Sequence, residues 1–493
     1  MRLTELIHRS GLRPPPSVLP PQADPEIAGL SADSRQVQPG FLFAALTGAR
    51  ADGARFIADA RARGAVAALV GEGAAVDAAD LALVRAQDAR LALARFAAGF
   101  YGIQPRIVAA VTGTNGKSSV AHFTRSIWQA LGLKAASMGT LGLVSPHLDR
   151  PGGLTTPDPV ALHRDLAALA RAGVDHLALE ASSHGLDQRR LDGIRFAAAA
   201  WTNLSRDHLD YHRSMAAYFA AKARLFADLL PEGGAAIINA DTPEAEALVE
   251  LCLSRGHRLL RYGAAGTELK LLSTAMTAHG QHLALDVMGE LHEVELKLVG
   301  AYQAANVLAA LGLVLAEDID IDRALAALAT LEGAPGRLQH VGSTRDGAPV
   351  YVDYAHTPDA LETVLKALRP HAKQRLLLVF GCGGDRDAGK RPIMGGIAAR
   401  LADLAILTDD NPRTEDAAAI RRAVREGAPG AANLREIGDR HEAIAAAVAA
   451  LRAGDALVIA GKGHEPGQIV GATVLPFDDA EVARAALRQG GAA

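Results

Sequence analysis

Thr112-Gly113-Thr114-Asn115-Gly116-Lys117-Ser118-Ser119 follows the apolar run 107–111 and leads into a helix-compatible stretch through Leu131. A strand, a glycine loop and a helix in that order make a phosphate cradle. The glycines let backbone N–H groups turn inward and the helix start adds its dipole. Lys117 neutralises β- and γ-phosphates, and the Ser118 hydroxyl suits Mg2+. The full GxxxxGK[ST] pattern is absent, because Val111 stands five positions before Gly116, so a shorter loop is expected. The plain alternative is a glycine-rich turn with an exposed lysine; the strand and helix on either side favour phosphate.

Four further groups of residues could do chemistry. Glu180 ends the apolar run 176–179, which puts a carboxylate where the phosphate loop also opens and makes it a candidate Mg2+ ligand. The corner 201–212 is dense in polar groups, and its His208 and His212 are spaced equally well for zinc on one helix face or for a polar loop capping a sheet. Lys222, among small and aromatic residues on a helical stretch, reads by itself as a snorkelling surface charge. Late in the chain, Gly381-Cys382-Gly383-Gly384-Asp385-Arg386, Asp409-Asp410-Asn411-Pro412-Arg413 and Gly461-Lys462-Gly463-His464-Glu465 each follow an apolar run, so three strand ends should converge. The first fails GxGxxG because Arg386 holds the third glycine position, which argues against a dinucleotide.

The elements that must position these groups follow from length and pattern. A chain of 493 residues exceeds one ordinary core and should divide into two to four domains. The opening segment, with Pro14–Pro16 and the apolar pieces 66–70 and 81–84, reads as a small mixed α/β unit that stops near Gly102 and Pro105. From Arg106 short apolar runs at 107–111, 176–179, 196–201 and 235–238 alternate with helical stretches, the pattern of a doubly wound sheet. The cluster 332–336 reads as a hinge. Beyond it come strands at 350–352, Leu376–Phe380, Leu404–Leu407 and 456–459, with helices at 359–368 and 441–451.

Composition excludes several classes. A net charge of −4, from 51 basic and 55 acidic side chains, makes no field to gather nucleic acid or an anionic membrane. Cys252 and Cys382 are far apart and suggest neither disulfide nor zinc. Residues 1–9 lack the apolar stretch of an export signal, and no apolar run approaches the ~18–20 residues of a membrane span. A cytoplasmic protein without membrane insertion is expected.

These motifs occur in the order they have in the Mur ligases, and the chain resembles that family over all three segments. Thr-Gly-Thr-Asn-Gly-Lys-Ser is that family's phosphate loop, and folylpolyglutamate synthases use a similar one. The resemblance implies an α/β protein of three domains. These are a small N-terminal mixed α/β domain (1–104) for the UDP substrate, a central P-loop-type ATPase sheet (105–335), and a C-terminal Rossmann-like domain (336–493) for an amino acid. It implies ATP held by Gly113, Thr114, Asn115, Gly116, Lys117, Ser118, Ser119, Asn306, Arg337, Asp353 and His356. Two Mg2+ ions are implied on Ser118, Glu180, His208 and a carbamylated Lys222, while His212 carries no such role. Carbamylation exchanges a cation for an anion and needs a neutral amine, which desolvation promotes.

By the same resemblance, Ser34 and the loop Ala49-Arg50-Ala51 meet the uridine nucleotide, and Thr155, Thr156, Ser182, Gln188 and Arg190 hold a muramoyl dipeptide. By itself the pair Thr155-Thr156 before Pro157 is most simply a helix cap. Asp410-Asn411-Pro412-Arg413 is the motif of those members that add meso-diaminopimelate rather than lysine. The two amines differ by a distal carboxylate, which a guanidinium binds through paired hydrogen bonds. Arg386, Arg413, Gly461 and Glu465 would hold that amino acid. The implied activity is ATP-dependent addition of meso-diaminopimelate to UDP-N-acetylmuramoyl-L-alanyl-D-glutamate through an acyl phosphate, by a monomer.

Overall fold

The computed structural model describes residues 1–20, 23–48, 52–76, 80–277 and 280–489. The chain forms two compact units, one of residues 1–262 with 309–319, the other of 263–308 with 320–493. It crosses between them at 262/263, 308/309 and 319/320, and the segment 332–336 lies within the second unit.

The first unit opens with a five-stranded sheet in the order Ser17–Leu19, Ala82–Ala86, Ala67–Gly71, Phe41–Ala44, Gly29–Ser31, parallel except for its first pair. Helices Leu3–Ser10 and Ala89–Tyr101 close it. Asp88 starts the latter by accepting the N–H groups of Arg90 and Leu91, and Gly102 at φ 78° ends it.

The larger sheet of this unit follows. Its order is Arg258–Gly263, Ala235–Asn239, Ala198–Trp201, Ile107–Thr112, His176–Glu180, Ala135–Gly139, Gly142–Val144, and only the last strand runs antiparallel. Its central strands are buried on both faces, which explains their uninterrupted apolar runs. The chain starts at Ile107–Thr112 and winds first to one side, then to the other. The switch point, where open α/β sheets hold ligands, therefore lies at the carboxyl end of that strand.

At the amino end of these parallel strands, His176 is buried and its Nε2 lies 3.2 Å from Glu317, which Arg106 also reaches at 3.5 Å. Glu317 belongs to the segment 309–319 that returns to this unit.

His163, buried on helix Pro159–Arg171, sits against Gly193 and the carbonyl of Asp192. Burial depresses its pKa from 6.5 to about 4. A depressed histidine contributes stability that is present above pH 6.5 and lost as pH falls through about 4, worth about 3 kcal/mol in full. His163→Gln should therefore flatten the fall in urea-unfolding free energy between pH 7 and 4; an unchanged slope would count against this assignment.

In the second unit, Leu269–Thr277, Gly280–Val287 and Glu290–Leu296 form an antiparallel meander. A six-stranded sheet follows in the order Gln339–Ser343, Pro349–Asp353, Ala456–Ala460, Leu376–Phe380, Leu404–Leu407, Leu434–Glu436, parallel after its first pair. Pro358–Leu368 and Lys390–Leu401 pack on one face, Arg440–Ala449 and Asp479–Gln489 on the other. The last two are joined by a fully buried ion pair, Arg440 to Asp479 at 2.7 Å. Among the described residues no helix is long and apolar enough to cross a membrane.

Candidate functional site

In the first unit the phosphate loop leaves strand Ile107–Thr112 with Gly113 at φ 149° and Gly116 at φ 88°, and helix Lys117–Ala130 begins at once. The next strand end clamps the loop from behind. Thr114 N–H donates to the Asn203 carbonyl (2.8 Å), Asn115 N–H to Asn203 Oδ1 (2.9 Å), and Thr202 Oγ1 to the Asn115 carbonyl (2.6 Å). A side chain at Gly113 would run into Thr202 Oγ1. Thr112 Oγ1 is buried in this cradle without a hydrogen-bond partner. A preformed nest of N–H groups at a helix start, with an unsatisfied hydroxyl beneath it, fits a nucleotide phosphate.

Two lysines meet at this loop. Lys117 Nζ donates to the carbonyls of Gly113 (2.8 Å) and Thr114 (2.9 Å), and Lys222 Nζ donates to the same Gly113 carbonyl at 2.7 Å. Lys222 is 1% exposed, with its ammonium 4.6 Å from the Tyr218 ring centroid, so it is no surface charge. Burial, with Lys117 adding to it, pushes the Lys222 pKa well below the usual lysine value. Two cations on one carbonyl repel each other, and an amine in that position is easily held neutral. Tyr218 also places its hydroxyl 3.3 Å from Thr114 Oγ1.

Glu180 ends the neighbouring strand. Its carboxylate accepts Thr140 N–H (2.8 Å) and Thr140 Oγ1 (3.1 Å), and it occupies the space a side chain at Gly139 would need. Gly139→Ala must push the Glu180 side chain aside from Cγ outward, so a variant that folds should lose activity as Glu180→Ala does, by about 100-fold. Near-normal kcat in a folded Gly139→Ala would show that the carboxylate need not sit there.

A chain of hydrogen bonds runs outward from Glu180. Thr156 Oγ1 donates to its carbonyl (2.9 Å) and accepts from Ser182 N–H (3.0 Å). Arg190 donates to the Thr156 carbonyl (2.7 Å) and to Gln188 Oε1 (2.6 Å). Gln188 Nε2 donates to Tyr211 OH (3.1 Å), and Tyr211 OH to Asp187 (2.6 Å). Thr155 Oγ1 meets Thr140 Oγ1 at 3.0 Å. Asp158, not this threonine pair, caps the following helix.

His208 is half-exposed at φ 52°, its ring 4.9 Å from that of His184, whereas His212 is buried with Nε2 unpartnered. Among the described residues no three His, Cys, Asp or Glu side chains gather to hold a metal by themselves. The Glu180 carboxylate and the Ser118 hydroxyl are the oxygen donors a hard cation such as Mg2+ takes, whereas the His208 imidazole is a softer one.

In the N-terminal sheet Ser34 is buried in a turn capped by Asp33, whose carboxylate also pairs with Arg35. Ala49, Arg50 and Ala51 lie outside the described residues.

The second unit brings its own strand ends together. Gly384 N–H donates to the Asn411 carbonyl (2.9 Å), Gly461 N–H to the Asp353 carbonyl (3.1 Å), and a side chain at Gly461 would meet Asp410 Oδ2 at 2.6 Å. Asp410 Oδ2 is buried without a hydrogen-bond partner. Arg413, at φ 52°, donates through NH1 to the Gly384 carbonyl at 2.8 Å, and Pro412 packs its carbonyl on Gly384. Asn411 Nδ2 donates to Glu465 Oε2 (2.9 Å), and Lys462 Nζ donates to both Asn411 Oδ1 and Glu465 Oε2 at 3.1 Å. Arg386 is on the same loop as Gly383 and Gly384, and a side chain at Gly383 would come within 4.0 Å of its Cγ.

Beside them Asp353 accepts the N–H groups of Leu338 (2.7 Å) and Ala355 (2.8 Å); burial, opposed by Arg337, raises its pKa to about 6. Arg337 lies 4.8 Å from the Tyr354 ring centroid, and His356, its pKa lowered by burial, donates from Nδ1 to the Tyr354 carbonyl (2.8 Å). Asn306 bonds Gln303 on helix Tyr302–Leu315. Sequence reading missed Thr140, Thr202, Asn203, Tyr218 and Lys462 as parts of these sites. Only the dense corner 201–212 and the Gly461–Glu465 run hinted at any of them.

Family models match along most of the chain: the Mur ligase family catalytic domain at residues 26–101, the Mur ligase middle domain at 111–314, and the Mur ligase glutamate ligase domain at 336–463. A protein of Caulobacter vibrioides named UDP-N-acetylmuramoyl-L-alanyl-D-glutamate--2,6-diaminopimelate ligase is 53% identical, over 97% of this chain and 97% of its own. One of the same name from Bradyrhizobium diazoefficiens is 52% identical over 99% of each. A solved structure with that name superposes with a TM-score of 0.70 at 35% identity, covering 95% of this chain and 96% of the other.

Proposed function

The chain belongs to the Mur ligase family, and from that premise we propose how its residues carry the reaction. It is an ATP-dependent ligase of peptidoglycan precursor synthesis that joins 2,6-diaminopimelate to UDP-N-acetylmuramoyl-L-alanyl-D-glutamate through an acyl phosphate. The observation that carries the residue assignment is the convergence of Lys117 and Lys222 on Gly113 beside the buried carboxylate of Glu180.

The glutamyl carboxylate attacks the γ-phosphate, ADP leaves, the amine attacks the acyl phosphate, and phosphate departs as the amide forms. Repulsion between carboxylate and triphosphate is the main obstacle. The loop 113–119 cradles the phosphates and Lys117 offsets their charge. Bound Mg2+ would add Lewis-acid stabilisation, held by Ser118, Glu180, His208 and the carbamate of Lys222. Thr155, Thr156, Ser182, Gln188 and Arg190 line the muramoyl peptide's place, and their continuous hydrogen bonding holds that wall rigid. Ser34 and the loop 49–51 take the nucleotide.

Asn306, Arg337, Asp353 and His356, residues of the second unit, are read as nucleotide contacts by the family resemblance. There Arg386 and Arg413 supply cations for the distal carboxylate, and Asp410 and Glu465 supply acceptors for its ammonium, with Gly461 and Pro412 shaping the wall. The amine is the meso isomer in this reading, the enzyme a cytoplasmic monomer, and the functional domains 1–104, 105–335 and 336–493. ADP release with a panel of amines tests it: turnover with meso-diaminopimelate and not with lysine is expected, and the reverse preference would overturn the specificity.

A further inference from the structure

We propose that Arg440 is a positioning residue for the incoming diamino acid, a cation buried beneath the Gly461 turn that steadies the Asp410 and Glu465 carboxylates without touching the ligand itself. The inference rests on the reading of this pocket as the diamino-acid site. The side chains of Arg440 and its partner Asp479 are both fully buried, so neither meets a ligand directly. Nε donates to Asp479 Oδ1 and NH2 to Asp479 Oδ2, each at 2.7 Å. NH2 also donates to the Ala460 carbonyl at 3.0 Å, one residue before Gly461.

Stability does not explain the choice of ions here. Desolvating two charges costs about as much as their attraction returns, so an apolar pair of the same volume would join helices Arg440–Ala449 and Asp479–Gln489 at least as well. Arg440 also opens its helix, where a cation opposes the helix dipole. What an ion pair adds is direction. Asp479 belongs to the last helix, and the guanidinium reaches from it to the end of strand Ala456–Ala460.

At that strand end the acids of the pocket gather. A side chain at Gly461 would stand 2.6 Å from Asp410 Oδ2 and 3.9 Å from Arg440 NH2, so carboxylate and guanidinium flank the same point. Only a glycine fits between them, and its φ of 118° asks for one as well. Asp410 Oδ2 and Arg440 NH1 are both buried without a hydrogen-bond partner among the described residues. Burial by itself would lower the Arg440 pKa; Asp479, Asp410 and Glu465 together outweigh it and raise it. Two of those three acids are the acceptors read for the ammonium. Lys462 already answers Glu465, whereas Asp410 Oδ2 has no such partner, and two carboxylates brought together repel. The cation behind them offsets that repulsion and holds the pair ready before the ligand arrives.

The test is steady-state kinetics of the double variant Arg440→Met/Asp479→Leu with each substrate varied in turn, melting curves serving as folding control. Replacing both partners by apolar side chains removes the cation without stranding its counter-ion, so the fold should hold. KM for diaminopimelate should rise by about 10-fold or more, with KM for ATP and for the muramoyl peptide within about twofold of wild type. A pair that only clamps two helices would leave all three unmoved. A folded double variant with unaltered diaminopimelate KM, or a common rise in all three, overturns the proposal. Should the double variant fail to fold, Arg440→Lys decides. It keeps a cation beside Asp479 but lacks the fork that reaches Asp479 and the Ala460 carbonyl at once, so a rise of about 3- to 10-fold for diaminopimelate alone supports the proposal and no rise overturns it. A wild-type enzyme inert toward diaminopimelate would sink the functional reading instead, whereas an active wild type with unshifted variants sinks this inference alone.

Discussion

Lys222→Ala should cut the rate of ADP formation by about 100- to 1000-fold, the usual cost of removing one preorganised charge-stabilising group. The lysine is buried, its amine is held on the Gly113 carbonyl next to Lys117, and burial lowers its pKa well below the usual lysine value. A free amine there is a nucleophile for carbon dioxide. A carbamate formed there would replace a repelling cation with an anionic oxygen donor at the place where triphosphate charge must be balanced. Lys222→Arg should fare no better than alanine, since a guanidinium stays charged and does not carbamylate. Small carboxylates such as acetate should return part of the activity to Lys222→Ala by occupying the vacated space. Carbon-13 NMR of enzyme equilibrated with labelled bicarbonate should show a carbamate carbon in wild type that the variant lacks. Activity within tenfold of wild type in Lys222→Ala, with no labelled signal in either protein, would remove the carbamate from the mechanism.

Arg413→Ala should weaken diaminopimelate by about 100-fold in KM while sparing ATP, because a paired, charge-assisted contact to a carboxylate is lost. The guanidinium waits in place: its backbone is fastened to Ile469 and its NH1 to the Gly384 carbonyl, so little ordering remains when a ligand arrives. Arg413→Lys should recover only a fraction, for an ammonium lacks the planar fork. Discrimination between diaminopimelate and lysine, measured as the ratio of kcat/KM, should collapse in both variants. If the ratio holds in Arg413→Ala, the distal carboxylate is read by another group, and Arg386 becomes the residue to replace.

Parts of the molecule were legible in the sequence for a simple reason. Strands Leu376–Phe380 and Leu404–Leu407 run where their apolar stretches run, because both faces are buried and nothing polar interrupts them. The phosphate loop shows itself through glycines that need unusual backbone angles. The meander 269–296 left no such mark: its first strand is exposed over most of its length, so no doubly buried apolar run announces it.

Helix length around Lys222 was equally silent about burial, since small neighbours allow a lysine to point inward as readily as outward. What locks it there, Tyr218 and the Gly113 carbonyl, depends on a contact spanning 109 positions of sequence. Thr140 with Glu180, and Asn411 with Lys462, are likewise pairs that only the folded chain makes neighbours.

The order in which the ribosome releases this chain meets the return of residues 309–319 to the first unit. Glu317, the carboxylate that answers His176 and Arg106, is made only after the whole meander and the first half of a helix that belong elsewhere. The nascent first half must wait, with the amino end of its central strands unfinished, until that short stretch emerges. A fragment stopped at Tyr262 would contain every residue of the phosphate loop and still leave His176 facing an empty place, so nucleotide binding by that fragment is a poor guide to the intact protein.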